Sequence, residues 1–385
     1  MSDALITATA ATHFGRHADR TLIDLAVTAG REALETAGVT ATEVDALYLG
    51  NFLGQSLQHQ GVLASLVARR LGLETVPTTT VEGACASAGI ALRHGVLAVR
   101  ARAADIVLCI GAEHLTGVDV ATVTGGLAEA TDQQTDGAAG LTFPGFFGLV
   151  AHAHAGRYGT TREQLAAVPV KNRRHGAANP LAMFRDPVTS EQVMQSRLIA
   201  DPLRLYDCSP IADGAAAAVV ASSDAATITA GRPVRVLACE QASGPTQIAH
   251  IDDLTTFPAT RAAAARAYQA ADVAPSDVDV VELHDCFSIA EIVDSEDLGL
   301  LPPGEAAEAI AVGATTLDGE GLVINPSGGL IARGHPVGAT GLAQVHELVN
   351  QLRGTARNAV DGPRVALAHN LGGCGATATV TILTS

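Results

Sequence analysis

Ala37-Gly-Val39-Thr-Ala-Thr-Glu-Val44-Asp45-Ala-Leu-Tyr-Leu49-Gly50-Asn51 has a counterpart far downstream, Ala271-Asp-Val273-Ala-Pro-Ser-Asp-Val278-Asp279-Val-Val-Glu-Leu283-His284-Asp285. In each a helix ends, a short turn leads into Val-Asp, and an apolar strand follows. The likeness continues. Gly83-Ala-Cys85-Ala-Ser-Ala-Gly89 opens an alanine-rich helix, and Gly334-His335-Pro336-Val-Gly338 opens another; the apolar strands Asp105-Ile-Val-Leu-Cys-Ile-Gly111 and Arg364-Val-Ala-Leu-Ala-His369 come after them. Self-similarity of this kind predicts two related α/β halves, residues 1–230 and 231–385, whose matched loops meet at one site. Between about 115 and 204 the first half is interrupted by a segment richer in polar residues, Pro and Gly, which reads as an inserted loop domain. Within it, Thr160-Thr-Arg-Glu163 is a capping-box pattern that starts a helix.

Composition narrows the function. At 385 residues the chain exceeds what one core usually serves. Nearly half of it is hydrophobic, yet aromatics are scarce and Trp is absent, so the core must be built from Ala, Val, Leu and Ile. With 24 basic against 40 acidic residues the formal charge is −16, which argues against nucleic acid or an anionic membrane as partner. Neither a leader peptide nor an apolar run of about 18 residues is present, and a cytoplasmic enzyme is expected. Six scattered cysteines without a Cys-x-x-Cys pair argue against a zinc ribbon or an internal disulfide framework.

Four stretches carry chemistry. His335 sits among glycines in Asn325-Pro-Ser327-Gly328-Gly-Leu-Ile-Ala-Arg-Gly334-His335-Pro336-Val-Gly338, a frame that lets backbone approach a ligand and that a core histidine would not need. Cys85 follows a Thr-rich strand at a predicted helix N-terminus; either free amides and the helix dipole lower its pKa and make it a nucleophile, or it is a small apolar residue in a tight helix. His284 and Cys286, two residues apart at a strand end, share one face and either line a cleft or pack beneath it. His369-Asn370-Leu-Gly372-Gly373-Cys374-Gly375 exposes amides suited to an oxyanion hole, or merely turns. The most basic run, Lys171-Asn-Arg173-Arg174-His175, is either an anion site or a solvated helix end. Cys109 and Cys239 belong to the core, Cys208 and Cys374 to packing, and the alternating His152 and His154 lack a nearby third metal ligand.

Together Cys85, His-Asp-Cys-Phe at 284–287, Gly-His-Pro at 334–336 and the C-terminal glycine loop resemble the thiolases, over essentially the whole chain. His-Asp-Cys-Phe is similar to the sterol carrier protein type and related bacterial and archaeal thiolases. Degradative and biosynthetic thiolases usually carry Asn-Glu-Ala-Phe there and a cysteine where this chain has His369, which suggests that Cys286 takes that cysteine's role.

The resemblance implies a five-layered αβαβα fold, a homodimer or homotetramer, and no metal or other cofactor beyond coenzyme A thioesters as substrates. It implies acyl transfer by Claisen condensation of acyl-CoAs or thiolysis of 3-oxoacyl-CoA. Cys85 would carry the acyl group, His335 would accept its proton, and Cys286 would deprotonate the second acyl-CoA. His335 and His284 would hold the enolate oxygen, and the amides of Cys85 and of Gly372 or Gly373 the tetrahedral oxyanion. Lys171, Arg173, Arg174, His175, Ser327 and Gly328 are expected at coenzyme A. Two rival readings are an enzyme with another acyl acceptor or a retro-aldolase beside a zinc-ribbon/OB-fold partner, and a silent scaffold subunit.

Overall fold

The computed structural model describes residues 3–319 and 321–385. Its strands, numbered along the chain, are β1 (Ala4–Ala11), β2 (Ala46–Gly50), β3 (Thr78–Val81), β4 (Ile106–Glu113), β5 (Leu198–Ala200), β6 (Leu203–Arg204), β7 (Gly214–Ser222), β8 (Val234–Ser243), β9 (Val280–Glu282), β10 (Val323–Ile324), β11 (Val365–Gly372) and β12 (Thr377–Thr384). Ten of them follow the order β10-β9-β11-β12-β8-β1-β7-β4-β2-β3. Read from its middle outward, that order is the same path twice, β1-β7-β4-β2-β3 mirrored by β8-β12-β11-β9-β10. The two arms join where Leu5 and Ile6 of β1 meet Arg235 and Val234 of β8.

Alternation along the strands decides the layering. In β4, Ile106, Leu108 and Ile110 face the helices Leu22–Ala37 and Leu63–Leu71, while Val107 and Cys109 face the opposite way. That second face packs on the helices Ser87–Arg100 and Thr340–Arg353, which are held between the two arms. Beyond the second arm lie Pro258–Ala271 and Ser288–Asp297. Helix, sheet, helix, sheet, helix is the five-layered arrangement expected from the motifs. The alanine-rich β7, buried throughout, lets a helix lie close on each face.

The segment between β4 and β7 forms the helices Val120–Ala128, Phe143–Tyr158, Arg162–Gly176 and Ser190–Gln195 with the two-stranded β5-β6 ribbon. Its capping box lies one residue later than the sequence pattern suggests. Thr161 caps and Gln164 closes the box, because the hydroxyl of Thr160 is taken by His154 Nδ1 at 2.7 Å.

The two central helices start alike. A 3-10 turn, Ala84–Ala86, precedes Ser87–Arg100, and another, Val337–Ala339, precedes Thr340–Arg353. In each a hydroxyl at the first helical position bonds back to the turn, Ser87 to the Ala84 carbonyl at 2.7 Å and Thr340 to that of Pro336 at 3.3 Å.

Candidate active site

Cys85 occupies the middle of the first of these turns, after Ala84, whose φ of 48° is a strained value for a residue with a Cβ. Across a cavity from it stand His335, which leads the second turn, and His284, just past β9. One sulfur or nitrogen atom from each of the three lies within 4.8 Å of the others. The two imidazoles meet edge to face with centroids 5.1 Å apart. Cys286 completes the cluster on the cavity wall. The site thus gathers the four side chains singled out from sequence. Two imidazoles and a thiol are also ligands for a soft divalent ion, although the cluster lacks a fourth protein ligand among the described residues.

Electrostatics differ from the sequence expectation. Burial pushes the Cys85 thiol up to about 12, with Glu113 and Glu82 adding to the shift and the amides of Gly373 and Cys85 opposing it. The helix terminus therefore does not create a resting thiolate, because desolvation outweighs two amides. Burial likewise lowers His335 to about 3, helped by Arg333. At rest the pair is thiol and neutral imidazole. The proton of that imidazole can be placed. His335 Nδ1 is 2.7 Å from Thr340 Oγ1, whose own hydrogen goes to Pro336, so Nδ1 donates and Nε2 is left as a bare base.

The cavity, about 200 Å³, takes its floor from these residues and its other walls from the inserted segment. Leu127, Phe143, Phe147, Ile199 and Leu205 line it, and Phe147 stacks on Phe287 with centroids 4.6 Å apart. A rim segment from Cys208 to Ile211 is tied to both loops by the amide of Ser209 on the Cys286 carbonyl at 2.9 Å and by the Ile211–His335 bridge. Cys208 therefore lines the cavity as well as packing.

Glu113, which sequence reasoning passed over, fastens the two halves together at this point. One oxygen accepts from Asn51 Nδ2 at 2.8 Å and the Leu53 amide at 3.1 Å, the other from the Phe52 and Gly338 amides at 3.0 Å each. Gly338 is needed for this approach. A Cβ there would lie 2.8 Å from Asn51 Cα and 2.9 Å from the Ala112 carbonyl, so this glycine brings the His335 loop against β4 rather than against a ligand. Burial raises Glu113 to about 7 despite the four donors. All four are N–H groups, so only the ionised carboxylate satisfies them, and protonation below about pH 7 loses one bond. Acylation of Cys85 is therefore expected to fall about tenfold between pH 8 and 6, the scale of one weakened charged hydrogen bond. Glu113→Gln should give a slower rate with that limb gone; a limb that persists in the variant would belong to His335 instead.

The basic run is a correction to the coenzyme A expectation. Lys171 is buried, paired with Glu291 at 2.8 Å and bonded to the Ile324 carbonyl at 2.9 Å. Arg173 is buried beneath Phe184 and Tyr206, and His175, lowered to about 3 by burial, holds the Asn325 carbonyl at 3.0 Å. Arg174 alone faces solvent, beside Asp318. Ser327 is equally internal, bonded to Glu282 at 2.7 Å, and Gly328 packs on Gly176. The run is a buried ionic seam between the inserted segment and the second half, and none of these residues lines the cavity. Lys171→Met should therefore cost about 3–5 kcal/mol by stranding Glu291, seen as a lower melting temperature, while affinity for coenzyme A is unchanged.

In the C-terminal loop, Gly373, at φ 63°, points its amide at the Cys85 sulfur, whereas Gly372 is paired with Thr377 at the end of β11. Of the two glycines, Gly373 alone lines the cavity at Cys85. Cys374 packs by Phe257 at a neighbouring hollow, its thiol raised to about 12 by burial. His152 and His154 diverge, each to a carboxylate distant in sequence, Asp201 at 2.7 Å and Glu296 at 3.2 Å.

Comparison with known proteins agrees with this arrangement. Sequence models of the "Thiolase, N-terminal domain" and the "Thiolase C-terminal domain-like" match residues 4–224 and 241–385. An acetyl-CoA acetyltransferase of Methanothermobacter thermautotrophicus is 45% identical over 99% of each chain. Human sterol carrier protein 2 is 36% identical over 93% of this chain and 67% of its own length. Among solved structures, the "Ltp2-ChsH2(DUF35) aldolase" superposes with a TM-score of 0.86 at 27% identity, covering 100% of this chain and 98% of its own. Human mitochondrial 3-ketoacyl-CoA thiolase in complex with CoA, at 0.77 and 21% over 100% and 98%, shares the fold.

Proposed function

The chain belongs to the thiolase family and is a thiolase-type acyl-CoA acyltransferase, and from that premise we propose how its residues divide the work. The convergence of Cys85, His284 and His335 within 4.8 Å, with Cys286 on the same wall, carries the reading. The Cys85 proton passes to His335 Nε2 as the sulfur attacks the thioester carbonyl. The tetrahedral oxyanion is held by the amides of Cys85 and Gly373. The bond to the coenzyme A sulfur then breaks, and that sulfur leaves with the proton from His335. Cys286, once ionised, takes an α-proton from a second acyl-CoA, and the resulting carbanion attacks the acyl carbonyl on Cys85; the bond to the Cys85 sulfur then breaks, and that sulfur takes the proton from Cys286, which returns to its thiolate. Thiolysis is the same sequence reversed. No cofactor beyond the coenzyme A thioesters is called for by these steps.

Acyl-CoA thioesters are made inside cells, and six unpaired thiols suit a reducing compartment. Among the described residues no helix is long and apolar enough to cross a membrane. A homo-oligomer is part of this proposal. The likeness to the two-component aldolase favours a second reading, a retro-aldolase or a transferase to another acceptor acting beside a partner protein. A retro-aldol cleavage does not require an acylated cysteine, so the intact Cys85–His335 pair favours Claisen chemistry. Intact-mass analysis after exposure to a panel of acyl-CoAs tests the choice. One acyl group retained on the Cys85 peptide is expected, and a protein that retains none from any donor would return the reading to the aldolase or to a scaffold.

A further inference from the structure

Two imidazoles face one sulfur, and their back sides are held differently. Thr340 accepts a hydrogen bond from His335 Nδ1, which leaves Nε2 bare. His284 Nδ1 lies 3.0 Å from Asn370 Nδ2, an amide nitrogen that can only donate. With Nδ2 turned to the ring and Oδ1 of the same amide left without a partner, Nδ1 of His284 accepts in this orientation, and the single proton of the neutral ring is on Nε2. The ring is neutral because burial, then the neighbouring His335, His369 and Arg333, hold its proton affinity well below the ordinary value. Asn370 lies in β11, is buried and does not line the cavity.

We propose that Asn370 is a positioning residue that fixes His284 as the Nε2–H tautomer, making it a standing hydrogen-bond donor to the oxygen of the second acyl group. His335, by contrast, donates from Nε2 only while it carries the proton taken from Cys85. Two chemically identical side chains thus work with opposite polarity, one as base and one as donor, because a hydroxyl backs the first and an amide the second. An enolate oxygen needs a donor that is present before the charge develops, and a ring free to choose its tautomer would supply one only part of the time. The donor role rests on the Claisen reading, but the tautomer does not.

The test therefore measures the tautomer and the chemistry separately. In protein labelled with 15N-histidine, with His284→Gln used to assign the signal, the wild-type ring is expected to show a bare Nδ1 and a protonated Nε2. In Asn370→Asp a carboxylate accepts from the ring, so the proton should move to Nδ1. Condensation kcat should then fall on the order of 100-fold, the scale of one lost oxyanion donor. Cys85 acylation and the KM for acyl-CoA should stay within about twofold of wild type. A wild-type ring protonated on Nδ1 overturns the proposal, as does a variant that keeps Nδ1 bare, whatever its rate. If the Asp variant does not fold, Asn370→Leu is read the same way, as loss of the fixed tautomer, and the wild-type spectrum still decides. A correct tautomer that switches in the variant, with no condensation or thiolysis from either protein, would leave the proposal standing and count against the Claisen reading.

Discussion

Cys85→Ala is expected to take up no acyl group from any acyl-CoA and to lose turnover by on the order of 10⁴-fold or more, the scale on which removal of a catalytic nucleophile acts. The argument is positional. Cys85 alone combines a strained turn, an amide donor from Gly373 and a bare imidazole nitrogen within reach. Cys374 is as reluctant to ionise but packs at a separate hollow by Phe257, and Cys109 and Cys239 are enclosed in the central layer. Alanine should fit the turn, since the 3-10 hydrogen bond there is made by Ala86 on Gly83 and does not involve the sulfur. Circular dichroism should therefore match wild type. Peptide mapping of the wild type after brief exposure to acetyl-CoA is the companion measurement; label on Cys286 with Cys85 clean would reverse the assignment.

Cys286→Ala should fail at the other half-reaction only. Condensation, and exchange of the α-protons of the second acyl-CoA with solvent, are expected to fall on the order of 10³-fold or more, while Cys85 is still acylated at close to the wild-type rate. A methyl group cannot hold a proton, whereas the nucleophile and its His335 base remain in place. Burial, followed by Cys85, Asp294 and Asp285, raises the Cys286 thiol well above its ordinary value, so its thiolate, once formed, is a strong base in the step that needs one. The neighbouring Asp285 is braced independently, by the Leu330 amide at 2.7 Å and by Asn172 at 2.7 Å, so the loop should survive the change. Near wild-type condensation by a folded variant would move the base to His284. His369 is a poor alternative, being wholly buried against Thr260.

The duplication was legible because it is written in local chemistry: helix end, Val-Asp, strand, and a glycine-marked helix start all leave one-dimensional traces. Cys85, His284, Cys286 and His335 could be picked out for the same reason, each lying at an element boundary that the pattern defines. Glu113 could not. It closes a plain apolar strand, and its role depends on four amides, three of which lie about 60 residues away while the fourth belongs to the other half. Asn370 stands in the C-terminal glycine loop and Thr340 two residues past the glycine-framed segment of His335, but a tautomer depends on which atom faces which, and sequence carries no direction of that kind. The basic run misled for a related reason. Charge on a helix reads as solvent-facing until Glu291 and the Ile324 carbonyl are seen waiting on the inner side for Lys171.

The two central helices, Ser87–Arg100 and Thr340–Arg353, both begin at the cavity. Each N-terminus carries roughly half a positive charge from aligned peptide dipoles, and the two act on one small, largely apolar volume. A protein of formal charge −16 thus turns two helix N-termini toward short-lived anions with no Lys or Arg among the described residues that line the cavity. Once substrate fills the cavity, dissolved ions have no room beside those dipoles to shield them. Added salt can weaken the approach of an anionic substrate or the grip on its distant phosphates, whereas the chemical step, once the cleft is filled, draws on a field belonging to the fold and runs at the same rate in dilute buffer and in brine.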